Sequence, residues 1–181
     1  KRLVSRLYNA TQAKYSLLQP RVYAAWQLDL NPALTDEVWR YCCGQTKALS
    51  PNCKLRLIDI KFLHRIYCTP AQLQRMGLRD DTRCACCTAE SADLLHLVWA
   101  CPAVAVFWNE VYDCIDVMAG QAIAHTPLLA LLGYVKDVPQ GVRRLVAMLL
   151  LLTKRRVAMR WGTEWCTDCL CLAARCCILP R

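Results

Sequence analysis

Glycine is scarce in this chain, with six residues in 181. There is no glycine-rich phosphate loop, no nucleophile elbow and no paired-carboxylate cluster of the kind that phosphoryl transfer needs. Asp80 and Asp81 are adjacent, but they precede a cysteine pair and read as turn residues rather than as a two-metal site. No stretch reaches the ~18 apolar residues that a bilayer span requires. Leu145 to Leu152 is an apolar run of eight followed at once by Thr153, Lys154, Arg155 and Arg156. It reads as a buried core helix, with a membrane-surface helix as the minor alternative. Residues 1–20 lack the apolar segment and small-residue cleavage site of a secretory signal. Few segments alternate apolar and polar residues with period two, which leaves little room for half-buried strands.

Apolar residues, by contrast, make up 56% of the chain, enough for a sizeable core. The length suits one compact domain or two small ones. The chain begins at Lys1 rather than Met, and reads as a piece of a longer protein or a processed product.

The net charge of +9 is uneven. Residues 1–53 and 54–83 each carry seven Lys/Arg against three Asp/Glu, a net of +4 apiece. Residues 84–142 carry only Lys136 against six acids, a net of −5. Residues 138–161 carry six Lys/Arg and no acid. A charge run is often no more than a solvated face. The two basic stretches are nevertheless the places where phosphate would be attracted.

Fourteen cysteines admit a disulfide scaffold or a reduced, intracellular protein. They are not spread as a framework. They cluster at 84–101 and 166–177, and several others fall at apolar helix positions. This distribution favours the reduced reading.

Spacings of three and four dominate, so the expected fold is mostly α: an irregular helical domain with a small knuckle inserted between helices. The pattern predicts helices over 3–18 and 21–29, the second burying Val22, Ala25, Trp26 and Leu28. A third starts at an N-cap on Thr35, and a fourth at Ser50-Pro51 with Leu55, Ile58, Phe62 and Ile66 on its inner side. A short helix runs from Ala71 to Met76 and stops at Gly77, with Leu73, Met76 and Leu78 packing beneath the knuckle. A long helix opens at Pro102 and ends at Gly120. Val104, Phe107, Trp108, Val111, Tyr112, Ile115 and Met118 form its stripe, which reads as core. A short helix over 127–132, a turn-rich link over 133–141 and a last helix over 142–161 complete the chain. The expected organisation is an N-terminal helical segment over 1–50, a metal-binding domain over 51–119, a C-terminal helical segment over 120–162 and a Cys-rich tail over 163–181.

In RCACCTAESADLLHLVWACP, Cys84, Cys87, His96 and Cys101 form Cys-x2-Cys, an eight-residue gap, then His-x4-Cys. Three thiolates and an imidazole are a complete tetrahedral set for Zn²⁺, and a closed set points to a structural rather than a catalytic ion. Residues five apart on one α-helix are about 140° apart around the axis. A helix from Ala92 to about Trp99, broken by the extended residue before Pro102, would bring Cys101 back beside His96. Cys86 is a spare thiol in a poorer chelate position. Cys166-x2-Cys169 resembles half of a second site but has no His nearby, so buried or incidental thiols are the preferred reading. His125 reads as a surface or capping residue without a partner.

The ordered run His64-Arg65-x-Tyr67-x-Thr69-Pro70, Leu73, Met76-Gly77, the two cysteines, the histidine, Trp99-x-Cys101-Pro102 and Phe107-Trp108 resembles a known region. It is similar to the C-terminal part of reverse-transcriptase polyproteins of LINE-type (non-LTR) retrotransposons, which follows the polymerase and carries a Cys-Cys-His-Cys zinc knuckle. LTKRRVAMRWG, residues 152–162, resembles a segment near the end of such polyproteins. The resemblance spans roughly residues 12–162 and is strongest over 60–112; residues 163–181 match nothing in it.

The resemblance implies that Cys84, Cys87, His96 and Cys101 are the zinc ligands. It also implies that the polymerase and endonuclease lie upstream, so catalysis is not expected of this chain. The expected partners are RNA or an RNA–DNA hybrid and the upstream polymerase domain, with no membrane role, in an intracellular ribonucleoprotein of nucleus and cytoplasm. The candidate nucleic-acid contacts are Lys54, Lys61, His64, Arg65, Arg75, Arg143, Arg144, Lys154, Arg155, Arg156 and Arg160. A structural or docking domain that packs on the polymerase or a host protein is the competing reading, and an inactive relic is the third.

Overall fold

The computed structural model describes residues 21–159, apart from Thr88 and the side chains of Thr46 and Lys47. The expected helix over 3–18, the end of the last helix, Arg160 and the cysteines of the tail lie outside the described residues. Within them the fold is mostly helical and contains no strand. No helix among them is long and apolar enough to cross a membrane.

Among the described residues there are seven α-helices: α1 (Arg21–Leu30), α2 (Asp36–Ala48), α3 (Cys53–Leu63), α4 (Pro70–Arg75), α5 (Pro102–Ala119), α6 (Pro127–Leu132) and α7 (Arg143–Met159), with a π-helical turn over His96–Ala100. One continuous core runs from Tyr23 through Val157.

Local chemistry sets most of the boundaries. Thr35 caps α2 by accepting from the Val38 N–H, with Asp36 and Glu37 at the positive end of the helix. The expected start of α3 at Ser50-Pro51 is corrected by two residues: Asn52 is the cap, accepting from the N–H groups of Lys54 and Leu55, while Ser50 accepts from Asn52. Asn competes well for this role because its short side chain reaches those donors directly. Thr69 and Gln72 form a reciprocal capping box on α4, with Pro70 in its first turn. Thr69 is buried, and Thr69→Ala should cost about 1 kcal/mol in a urea denaturation series. Gly77 then takes φ 69°, and Leu78 donates back to the Leu73 carbonyl at 2.9 Å. This left-handed ending is the one glycine adopts most easily.

The same ending closes α3 with Arg65 in glycine's place, at φ 53°. Ile66 N–H reaches the Lys61 carbonyl at 3.0 Å and Arg65 N–H reaches Phe62 at 3.0 Å. The left-handed conformation is costly for an L-residue. It is offset by tertiary contacts: the Arg65 guanidinium pairs with Asp29 at 2.5 Å and lies over the Trp26 ring, 4.5 Å from its centroid. Trp26 is fully buried and donates to the Leu63 carbonyl.

Several packing expectations are corrected. Helix α1 buries Tyr23, Trp26 and Leu30, while Leu28 faces solvent. Ile66, Met76 and Leu78 are also exposed, because each follows the point at which its helix has already ended or turned away. The stripe of α5 is core as expected, with Val104, Phe107, Trp108, Val111, Tyr112 and Ile115 all buried.

Helices α3 and α7 pack directly against each other. Asp59 of α3 and Lys154 of α7 meet inside that contact as a buried ion pair, and the Lys154 ammonium also donates to the Leu131 carbonyl at the end of α6.

Candidate metal centre

Residues 82–101 fold as a small loop leading into a helical turn. Ala92 N–H donates to the Thr82 carbonyl and Cys84 N–H to Ala89, both at 2.9 Å, which closes the loop that carries Cys84 and Cys87. The Thr82 hydroxyl adds a bond to the Glu90 carbonyl at 2.5 Å. The N–H groups of Cys86 and Cys87 point at the Cys84 sulfur.

The second half departs from expectation in an informative way. The helix begins at Leu94, not Ala92, because the Asp93 carboxylate accepts from the His96 N–H at 2.7 Å as an N-cap. After one α-turn the chain widens into the π-turn, and Cys101 N–H donates to the His96 carbonyl at 2.8 Å. An i→i+5 bond is the defining bond of a π-turn. Five residues therefore close about one turn, and His96 and Cys101 come to the same side without a break between them. Cys101 is then extended, with φ −60° and ψ 128°, as the residue before a proline should be. The bend expected before Pro102 carries only part of the reorientation. The π-turn performs most of it.

The π-turn is fixed to the core. Trp108 on α5 donates to the Val98 carbonyl at 2.7 Å, and Trp99 packs against Trp108 and Tyr112 with ring centroids 5.6 and 6.1 Å away. The aromatic stripe of α5 is thus the floor on which the cluster sits.

The ligating atoms of Cys84, Cys87, His96 and Cys101 all lie within 4.8 Å of one another. Cys84 Sγ is 3.8 Å from Cys101 Sγ, and Cys87 Sγ is 3.2 Å from His96 Nε2. Cys84 and Cys101 are buried, and Cys87 and His96 are half-buried. This group can hold a metal ion. Cys86 is half-buried beside it and is not one of the four.

The thiols are electrostatically unequal. Burial raises the pKa of Cys84, but the N–H groups of Cys86 and Cys87, the His96 ring and the Cys87 side chain outweigh it and hold the thiol down at about 6. Burial pushes Cys101 up to about 12, with the Cys84 thiolate adding to the rise against the Ala103 N–H. Two neighbouring sulfurs therefore do not both ionise without a cation between them. A bound metal removes that conflict and releases the proton.

Ten of the eleven basic candidates lie among the described residues, and they separate into groups. Lys54, His64 and Arg75 are exposed, and Lys61 is partly so; Arg144 and Arg155 are exposed on α7. Lys154 is corrected outright: it is 2% exposed and held by Asp59, so its ammonium is not available to a phosphate. Arg65 is committed to Asp29 and Trp26. Arg143 donates to the Val138 and Lys136 carbonyls, and Arg156 is half-buried with its Nε lacking a hydrogen-bond partner among the described residues.

His125, expected to stand alone, stacks on Tyr112 with centroids 4.1 Å apart and lies 4.0 Å from Asp116. Asp93 was missed as a support of the cluster, although an Asp three residues before His96 is a legible N-cap signal.

No protein-family model and no solved structure matches this chain.

Proposed function

We propose that Cys84, Cys87, His96 and Cys101 bind one structural zinc ion, and that the helices around it form a non-catalytic RNA-binding module. This is the role implied by the resemblance to the region after the polymerase in LINE-type reverse transcriptases. The observation that carries the zinc assignment is the convergence of three sulfurs and one imidazole nitrogen, with no further ligand in the group among the described residues. Zn–S bonds of about 2.3 Å at tetrahedral angles put two sulfurs about 3.8 Å apart, and sulfur and nitrogen about 3.5 Å apart. The separations of 3.8 and 3.2 Å are close to both. Thiolate-rich tetrahedral sites select zinc over magnesium or calcium.

Support for RNA comes from candidate cations without an ion pair among the described residues: Lys54 and Lys61 on α3, with His64 exposed at its C-cap, and Arg144 and Arg155 on the helix packed against it. The zinc segment itself is acidic, so the metal acts as a fastener for the module and not as the contact. Four Lys/Arg phosphate contacts predict a log–log salt slope of about −2.8 for single-stranded RNA, and about a fiftyfold loss of affinity between 50 and 200 mM salt. Fluorescence anisotropy with two unstructured single-stranded RNAs of unrelated sequence should give that slope for both. Absence of binding at low salt, or affinity indifferent to salt, rejects the reading.

One observation favours the docking alternative. Leu57 and Ile60 are exposed on the same outer surface of α3 as Lys54 and Lys61, at 50% and 37%. An apolar surface of this kind suits the upstream polymerase domain as well as RNA. Replacing both with serine should leave RNA affinity within about twofold if phosphate contacts dominate, because those contacts carry the binding energy.

A further inference from the structure

A cleft of about 250 Å3 opens between the C-terminal half of α2 and the start of α7, and none of the metal ligands lines it. Its floor is apolar: Leu49, Val135 and Ala147. Tyr41 and Gln45 of α2 form one wall, and Arg143 and Arg144 the other. The Tyr41 ring is braced by the edge of Tyr134, at 5.4 Å, and by the Lys136 ammonium, at 5.2 Å.

Arg143 is oriented before any ligand arrives. Its Nε donates to the Val138 carbonyl at 2.7 Å and its Nη2 to the Lys136 carbonyl at 2.5 Å. A guanidinium carries more donors than these two bonds use, and the remaining edge is fixed in direction at little further entropic cost. Among the described residues no carboxylate lies within ion-pair distance of Arg143 or Arg144, whereas Lys136 beside them is neutralised by Glu37 at 3.0 Å. The first turn of α7 contains these two arginines and no acid, the opposite of what the helix dipole favours there. An anion at the mouth of the cleft relieves that arrangement.

The combination of an apolar floor, an aromatic and amide wall and two arginines fits one class of ligand: a planar base joined to a phosphate. The volume lies below the roughly 300–1,000 Å3 of pockets that enclose a drug-sized molecule. It admits one ring, with the phosphate at the rim.

We infer that this cleft takes a single nucleotide, its phosphate on Arg143 and Arg144 and its base between Tyr41, Gln45 and the apolar floor. This deepens the RNA-binding reading and rests on it: one nucleotide of a flexible strand is gripped here, while the other cations meet only the backbone. Arg143 and Arg144 are then not equivalent to Lys54 or Arg155. They hold a defined position on the strand.

The test uses the metal-loaded full chain, with backbone amide shifts followed by NMR during titration with uridine 5′-monophosphate to about 10 mM, a range suited to millimolar affinity. The shifts should centre on Tyr41, Gln45, Val135 and Ala147. Uridine without phosphate, and inorganic phosphate without a base, should each move them less at equal concentration. Arg144→Glu, at an exposed position, should weaken nucleotide binding roughly tenfold without unfolding the protein. Gln45→Ala provides a second variant that leaves the arginines in place and should weaken the nucleotide but not phosphate. Shifts centred elsewhere, phosphate matching the nucleotide, or indifference to both variants would overturn the inference. An oligouridine arm separates the two readings. Salt-sensitive oligouridine binding with an empty cleft overturns the cleft and leaves the RNA reading standing. Nucleotide in the cleft with no oligouridine binding supports the cleft as a free-nucleotide site and overturns the RNA reading.

Discussion

Replacing Cys87 or His96 with alanine is expected to melt the segment from Thr82 to Cys101 and to lower the stability of the whole domain by several kcal/mol. Metal-binding free energy at a structural site is folding free energy, and it reaches about 10–16 kcal/mol apparent in isolated zinc-finger peptides. A domain of this size has only ~5–15 kcal/mol of net stability. Few other bonds hold the segment. Its loop is closed by the Cys84–Ala89 and Ala92–Thr82 backbone bonds, and its π-turn is tied to the core by Trp108 and the Val98 carbonyl. Without the metal, burial holds Cys101 protonated beside the Cys84 thiolate, so thiol hydrogen bonds among Cys84, Cys87 and Cys101 are what join the two buried sulfurs. Amide exchange should therefore accelerate first over 82–101 and the Pro102 end of α5, then elsewhere as the melting temperature falls. A chelator should reproduce the effect in the unmodified chain. Exchange unchanged in this segment would show that the four side chains are packing residues.

The second large effect is expected at Lys154. Changing it to Met keeps its length and removes its charge, which breaks the buried pair with Asp59 from one side. Breaking a buried pair from one side costs about 3–5 kcal/mol, whereas replacing both partners with apolar residues is often neutral or stabilising. Lys154→Met should thus lose that amount in a urea series, and Asp59→Leu with Lys154→Met should recover most of it. The Leu131 carbonyl, which also accepts from the ammonium, sets a small residual cost in the double variant. Any loss of RNA affinity in Lys154→Met should disappear when binding is compared at equal folded fraction, because the ammonium faces the core. A loss that persists in fully folded protein would return Lys154 to the contact surface.

Elements whose signals lie within a few residues of the chain were readable from the sequence. The Thr35 and Thr69 caps, the Pro102 start, the left-handed stops at Gly77 and Gly120 and the buried stripe of α5 all follow from local chemistry and helical period. The four metal candidates were readable for the same reason, since their spacing is local. The missed features depend on distant partners. Lys154 joined a basic run in the sequence, but its partner Asp59 is 95 residues away. A signal was present nonetheless. Lys154 falls four residues after Leu150 and three before Val157, on the buried side of α7, and Asp59 falls on the buried side of α3 beside Phe62 and Leu63. Two opposite charges, each on an apolar face, predict a pair. Arg65 gave no such warning: its left-handed backbone depends on Asp29 and Trp26. Ile66, Met76 and Leu78 kept the helical period in sequence beyond the residues where their helices end. The π-turn was also hidden, since no residue type marks one. Only the requirement that His96 and Cys101 meet across five residues pointed to an irregular turn.

The central claim is that Cys84, Cys87, His96 and Cys101 form one site for one zinc ion that fastens the module. Native mass spectrometry with elemental analysis of the purified chain, alongside Cys87→Ala and His96→Ala, tests it most directly. About one zinc per chain is expected, matching the four-ligand group among the described residues, with its loss in both variants. Folded, cooperative protein with no bound metal, or zinc retained in full by both variants, would contradict it.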